Sequence, residues 1–352
     1  MKNFKKIFAT VLVAVMVLSF CGCHKKGEIA IKIGDVSFTS AYYMCALLEA
    51  DMDARQQIDT KAKSDDSIDT SKEGYYYSQK IDGKKYVTYV KDTALDRLKT
   101  LASYKIKAKE AKLKISDEQQ SNIDAYVSYY WNSYGYSALY EPNGVSKDTF
   151  AEFFRDSYYS DLYFDYLYGK DGEKAIPDDE ITAFMNENYV LADVLSEDLS
   201  SKEEAEVTAI TEQFDGFYSE LKGGKVTFNE IYETYNKTEE GQKQESYSTV
   251  LGSSKTDNAD ENFDTIKAMA VGEVKLIKAE DGSKITLVVK KDLSADETQK
   301  ENLDETIRHN LKGEEFEADI EAFKKTLKVN ENKSATKQFN IKKIEYPQQS
   351  AT

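Results

Sequence analysis

The chain has 352 residues, with 47 Lys and Arg against 63 Asp and Glu, a formal net charge of −16. That balance argues against nucleic acid, whose binding needs a basic surface, and against a polybasic membrane-surface role; the charge serves chiefly to keep the chain soluble. The length is more than one hydrophobic core usually supports, so two or three modules are expected.

In chain order, Lys2, Lys5 and Lys6 precede an apolar run at 7–20, IFATVLVAVMVLSF. The run is short for a membrane span, which needs about 20 residues, and it suits the core of a signal peptide. Cys21-Gly22-Cys23 follows, and then polar His24, Lys25 and Lys26. This resembles the lipobox of bacterial lipoproteins, where a small residue directly precedes the lipidated cysteine. Gly22 meets that requirement for Cys23, and Phe20 fails it for Cys21. The resemblance implies a signal peptide at 1–22, lipidation at Cys23 and a chain held on the extracytoplasmic face of the cell membrane. An uncleaved anchor helix or a simple secretion signal are the alternatives. Two or more acyl chains would anchor stably where one is marginal. After cleavage Cys45 is the only cysteine left unblocked, so no disulfide forms within one chain and stability rests on packing.

Alternating Ile29, Ile31 and Ile33 predict a strand, Gly34-Asp35 a turn, and 36–38 a second strand. Thr39 or Ser40 caps the helix that follows. Residues 59–74 read as a polar loop, and Asp82-Gly83 as a turn. Ala94, Leu95, Leu98, Leu101 and Ala102 place a helix over 86–113. Ser116 and Gln119 form a capping box for a helix carrying Ile123, Val127, Tyr130 and Trp131. The stretch GYSALYEPNG reads as a loop. Ser146 or Asp148 starts a helix with Phe150, Phe153, Phe154 and Leu162 inward, and Pro177 opens a short one. A strand at 189–195, helices at 202–221, 228–235 and 263–269, and strands at 274–277 and 284–289 then make a compact α+β module. Residues 236–262 between them read as polar loop. A long helix to about Leu327 and a strand at 337–346 close the chain. Ile29–Ile33 and the alternating residues 339–344 both need partners, so the two chain ends are expected to meet. No internal repeat is visible.

This order resembles the extracytoplasmic foldases of the parvulin class, the SurA-like and PrsA-like chaperones. IKIGDVSFTSAYY is similar to their entry motif V-N-G-x-x-I-T-x-x-E-F, and LKGGKVTFNEIYETYN at 221–236 to L-K-A-G-A-D-F-A-E-L-A-K-E-Y-S. Leu251-Gly252 matches the L-G before the substrate loop, Phe263 the phenylalanine after it, and Ala270-Val271-Gly272-Glu273-Val274 the L-K-P-G-E-V turn. The resemblance implies an α+β, mostly helical fold. A helical N-terminal domain at 23–184 would be completed by a C-terminal helix and strand at 296–352, with a parvulin-like module inserted at 185–295. It implies unfolded or exported polypeptides as clients, with no cofactor.

The sequence departs from that family at the isomerase site. The two histidines of active parvulins, in H-I-L and G-Y-H-I motifs, fall at Asp193 and Lys284, and the loop after Gly252 has lost its aromatic. The degenerate site would comprise Asp193, Phe263 and Lys284, with Asp193 and Lys284 either paired with each other or merely exposed on their strands. Little or no prolyl isomerase activity is expected. The 25 tyrosines concentrate at 75–77, 126–140 and 158–168. Tyrosine offers large contact area with a polar tip, so Tyr130, Trp131, Tyr134, Tyr136, Phe154 and Tyr158 are candidates for client binding, for sugar stacking or for plain core. No His/Cys cluster supports a metal, and Asp257 to Glu261 lacks the glycine and spacing of a calcium loop. There is no phosphate loop and no G-x-S-x-G. A membrane-anchored chaperone is the leading reading. A surface lipoprotein for a glycan or solute, and an active isomerase with a rearranged site, are the alternatives.

Overall fold

The computed structural model describes residues 27–63, 72, 74–236, 248–337 and 339–347. The expected signal peptide at 1–22 and Cys23 lie outside the described residues. The chain divides into two compact units, Met1–Leu167 with Glu315–Thr352, and Tyr168–Glu314. The class is α+β: long helices predominate, and the sheets are small and antiparallel.

The first unit opens on a hairpin, Ile29–Ile33 with Val36–Thr39. Gly34 turns it at φ 58°, and a Cβ there would stand 3.1 Å from the Ile106 side chain. The Thr39 hydroxyl accepts the Tyr42 N–H and caps the helix Ser40–Ala62. The first turns of that helix are buried on every side, from Ala41 through Leu48, as befits a helix at the centre of a bundle. Asp82 and Gly83, at φ 49° and 76°, turn a short hairpin between Lys80–Ile81 and Lys84–Lys85, the geometry an Asp-Gly pair favours. The helix Tyr86–Glu110 follows. The capping box of Ser116 and Gln119 opens the helix Asp117–Asn132. The stretch read as a loop holds a short helix, Tyr136–Tyr140, whose Tyr140 is fully buried. Helix Lys147–Tyr168 completes the set.

The C-terminal residues of this unit correct one expectation. The chain ends meet, but not through a strand at 337–346. Val329–Glu331 pairs antiparallel with Ile29–Ile33 and makes a three-stranded sheet. Beyond it Asn332 accepts the N–H groups of Ser334 and Ala335, and Asn340 accepts that of Lys342. Such local side-chain bonds offer the backbone turns in place of a ladder, and they give a helical turn at Lys333–Thr336 and a 3-10 turn at Ile341–Lys343. Phe339, Ile341 and Ile344 are buried all the same, at a spacing no strand would give. Asn143 holds the final segment by two bonds, its amide donating to the Glu345 carbonyl (2.8 Å) and its oxygen accepting the Glu345 N–H (3.0 Å). The later turns of the helix Glu297–Thr326 also belong to this unit. There Phe316 stacks on Tyr104 and meets Phe164 edge-on, and the buried Lys324 ammonium lies 2.9 Å from Asp96.

The second unit is a four-stranded antiparallel sheet in the order Thr249–Gly252, Tyr189–Asp198, Lys284–Lys291, Val274–Lys278. The strand Thr249–Gly252 falls in the stretch read as polar loop. Val190, Ala192 and Val288 bury one face against Phe263, Ile266 and Met269. Leu195, Ile285 and Leu287 bury the other against Phe214, Phe228 and Ile231. The unit extends past the expected limits of 185 and 295. Met185, Tyr189, Leu191, Leu293, Leu303 and Ile307 form one cluster, and the buried Arg308 donates to the Tyr168 carbonyl at 2.9 Å. Those contacts draw 168–184 and 296–314 into this unit and away from the helical one.

Truncation after residue 327 removes the strand Val329–Glu331 together with Phe339, Ile341 and Ile344. Three buried apolar side chains at about 1.5–3 kcal/mol each set an expected loss on the order of 5 kcal/mol. Scanning calorimetry should show the first unit's transition lowered or abolished, and an unchanged transition would refute the structural role of this segment.

Candidate functional site

Each unit holds one group of residues that the sequence singled out. In the first, helix Asp117–Asn132 carries Tyr126, Tyr129, Tyr130 and Trp131, which its 3.6-residue period spreads over more than one face. Trp131 turns inward. It is 5% exposed and lies 5.6 Å from the Phe150 ring and 6.3 Å from Tyr140. Tyr130 stands between core and surface, with ring centroids of Tyr129, Tyr134, Tyr136 and Phe154 all within 5.8 Å. Phe154 in turn meets Tyr158 at 5.8 Å. Tyr126, Tyr129 and Tyr134 are 52%, 52% and 64% exposed.

Beside this cluster opens a cavity of about 420 Å³ lined by Tyr130, Tyr136, Phe150, Phe153 and Phe154. Its polar wall is Glu49 and Arg97. The Tyr140 hydroxyl donates to Glu49 at 2.8 Å, and Arg97 bridges Glu49 (3.2 Å) and Asp53 (2.7 Å). Burial first, then the Glu49 charge, drives the Tyr140 hydroxyl far above its ordinary pKa, so it stays a donor. The cavity is thus an aromatic groove with a fixed ion pair. Of the six aromatic candidates, Tyr130, Tyr136 and Phe154 line it, Tyr134 and Tyr158 touch lining rings, and Trp131 is core. Glu49, Arg97, Phe150 and Phe153 were missed as site residues, although the sequence places both phenylalanines on the inward face of their helix. Glu49 and Arg97 lie on helices far apart in sequence, and no local spacing marks them.

In the second unit the expected isomerase residues do not converge. Asp193 is opposite Val289, and Lys284 is opposite Asp198, five positions along the same ladder, or about 17 Å at the usual strand rise. An Asp193–Lys284 pair is therefore ruled out. Asp193 is instead buried, accepting the Ser248 hydroxyl at 2.7 Å and pairing with Lys291 at 3.0 Å. Lys284 pairs with Glu261 at 2.9 Å. Strand alternation puts Asp193 on the face of Leu195 and Lys284 on the face of Val288. Phe263 packs on the Val288 face, so it and Asp193 are on opposite sides of the sheet. Its ring is 7% exposed, with the Lys267 ammonium 5.9 Å from the centroid. Lys290 donates to the carbonyls of Lys267 and Met269 at 2.7 and 2.6 Å. Burial, and then the Lys290 charge, lowers the Lys267 pKa. His309 is the one histidine among the described residues, and it lies in the helix Glu297–Thr326. No group of acidic, His or Cys side chains among the described residues could hold a metal ion.

The fold is thus that of a two-unit α+β chain with an aromatic groove in its helical unit. No family model and no curated protein matches it. Three solved foldases are similar in structure. Foldase protein PrsA from Streptococcus pneumoniae str. Canada MDR_19A is 16% identical, covering 68% of this chain and 86% of its own, at a TM-score of 0.41. The PrsA foldase of Lactococcus lactis is 15% identical over 88% of this chain and 96% of its own, at 0.40. PrsA from Bacillus subtilis is 16% identical over 75% and 93%, at 0.28.

Core and rim of the aromatic cluster separate by mutation. Trp131→Ala should cost about 3–5 kcal/mol, as a buried aromatic does, and Tyr134→Ala no more than about 0.5 kcal/mol. Urea denaturation measures both, and equal effects would show that the burial described is wrong.

Proposed function

We propose that this chain is a chaperone of exported polypeptides, tethered outside the cytoplasmic membrane through Cys23, that holds unfolded clients in the aromatic groove of its first unit. The groove carries the reading. Five aromatic side chains line about 420 Å³ of open space, and the exposed rings of Tyr129 and Tyr134 lie 5.8 and 5.6 Å from the lining Tyr130. Aromatic rings with polar tips bind varied side chains without demanding one sequence. The Glu49–Arg97 pair supplies both a donor and an acceptor for a client backbone. The tether is supported by the basic, apolar and Gly-Cys sequence of residues 2–23.

The full chain should slow aggregation of several unrelated unfolded clients at near-stoichiometric ratio. Tyr129→Ser/Tyr134→Ser should weaken that effect about tenfold, the loss of two stacking contacts, without lowering the melting temperature. No protection of any client would sink the reading. A sharp thermal stabilisation by one small molecule, growing as RT ln(1 + [L]/Kd), would favour a solute or glycan receptor instead.

The second unit serves in this reading as a spacer or second client surface, with little or no prolyl isomerase activity. Isomerisation must lower a barrier of about 18–20 kcal/mol. Both histidines are replaced, Asp193 and Phe263 face opposite ways, and Phe263 is built into the core. A protease-coupled assay on Xaa-Pro peptides should show a rate near the uncatalysed one. Acceleration comparable to an active parvulin, lost on Phe263→Ala with the melting temperature intact, would prove the site rebuilt.

A further inference from the structure

In a chain of net charge −16, one cavity is lined by four lysines. Lys105, Lys109, Lys112 and Lys114 stand at the end of the helix Tyr86–Glu110 and in the turn after it, around an open cavity of about 560 Å³ beside the first hairpin. Two of them are neutralised. Lys105 lies 2.6 Å from the buried Asp156, and Lys109 lies 2.5 Å from Asp35. Among the described residues neither Lys112 nor Lys114 is paired with a carboxylate. The cavity therefore keeps two unneutralised ammonium groups, while half-buried Ile106, Leu113 and Tyr159 give it apolar walls.

Cations near a helix C-terminus are commonplace, since they complement the dipole by about 0.3–1 kcal/mol. That does not account for Lys112. The turn closes with the Leu113 N–H on the Ala108 carbonyl and the Lys112 N–H on the Lys109 carbonyl. Lys112 occupies the left-handed position of that motif at φ 59°, where glycine is the usual residue and a side chain costs about 1–2 kcal/mol. The dipole gain is no larger than this cost, so the fold alone gives no reason for lysine there.

We propose that this cavity binds a phosphate ester with an apolar body. Lysine acts as a point charge with three rotatable donors and suits tetrahedral phosphate, whereas planar carboxylates are best met by the fork of arginine. Four lysines and no arginine line the cavity. The phosphate sits between Lys112 and Lys114, away from Asp35, whose charge Lys109 holds in place and whose pKa that bond lowers. The organic substituent lies along Leu113, Ile106 and Tyr159. A soluble phosphate ester and a phospholipid headgroup share this chemistry.

Calorimetric titration of the full chain in neutral detergent at low ionic strength separates the sources. The probes are phenyl phosphate, dihexanoyl phosphatidylglycerol below its micelle concentration, and benzoate as the carboxylate control. At least one phosphate probe should bind more tightly than benzoate, and Lys112→Gln/Lys114→Gln should weaken it about tenfold or more, as removal of two charge-assisted bonds implies. Phenyl phosphate alone assigns a soluble ester, and the lipid alone assigns a headgroup. Lys112→Gly relieves the backbone, so it should raise the melting temperature and still weaken binding. Binding by neither phosphate probe, benzoate binding as tightly, or undiminished affinity in the double variant overturns the proposal.

Discussion

The carboxylate of Asp51 is fully buried, and the first unit is arranged around it. It accepts the Arg55 Nε–H at 2.8 Å, the Tyr86 hydroxyl at 2.8 Å and the Tyr346 hydroxyl at 2.6 Å. Those partners come from its own helix, from the helix Tyr86–Glu110 and from the C-terminal segment. Arg55 lies between two rings, 4.4 Å from the Tyr76 centroid and 4.3 Å from that of Tyr346. A buried charge is tolerable only when paired and hydrogen-bonded, and breaking such a pair costs about 3–5 kcal/mol. Asp51 meets that demand with partners as near as Arg55 and as far as Tyr346, 295 residues along the chain. The helices Ser40–Ala62 and Tyr86–Glu110 and the C-terminal segment are therefore tied together by the cost of leaving one anion unsatisfied.

What the sequence made legible follows from the range of the forces involved. Ser116 with Gln119, Thr39 before its helix and Asp82-Gly83 act over three or four residues, and each stands in the structure where local chemistry put it. No strand forms at 337–346 because Phe339, Ile341 and Ile344 break the period of two and the side chains of Asn332 and Asn340 bond the backbone locally. The short strand Thr249–Gly252 carries too few apolar residues to show a period, and it exists through its pairing with Tyr189–Asp198. Asp193 and Lys284 stand where two separate family motifs carry histidine, each position aligned singly. Register sets them five places apart and on opposite faces, and no motif contains register. The aromatic groove was half legible: tyrosine density marked the region, but which rings face inward depends on helix packing.

Apolar packing carries the second unit, and its buried charge answers to that packing. Its sheet buries apolar side chains on both faces, Phe263 among them, so its stability does not rest on Asp193 or Lys284. Asp193 and Lys284 each take a nearer partner, Lys291 and Glu261. The Asp193 pair is the more constraining, because its carboxylate is buried and accepts the Ser248 hydroxyl as well. A buried charge at Asp193 thus becomes a packing requirement of the strand that carries it.

The abundance of tyrosine and of acid in the first unit has a common physical basis. Tyr42 donates to Asp156, Tyr76 to Asp59, Tyr86 and Tyr346 to Asp51, and Tyr140 to Glu49. Asp156, Asp51 and Glu49 also take a cation, Lys105, Arg55 and Arg97 respectively. A phenol buries a large apolar face and brings its own donor, so it satisfies a carboxylate that phenylalanine would leave bare. Burial raises the pKa of Tyr42, Tyr86, Tyr140 and Tyr346, which keeps these hydroxyls protonated and donating. Tyr126, Tyr129 and Tyr134 stand outside this scheme, since they are exposed and hold no carboxylate among the described residues. Tyr129 and Tyr134 meet each other and Tyr130 at the edge of the groove, and most of their surface is left to solvent.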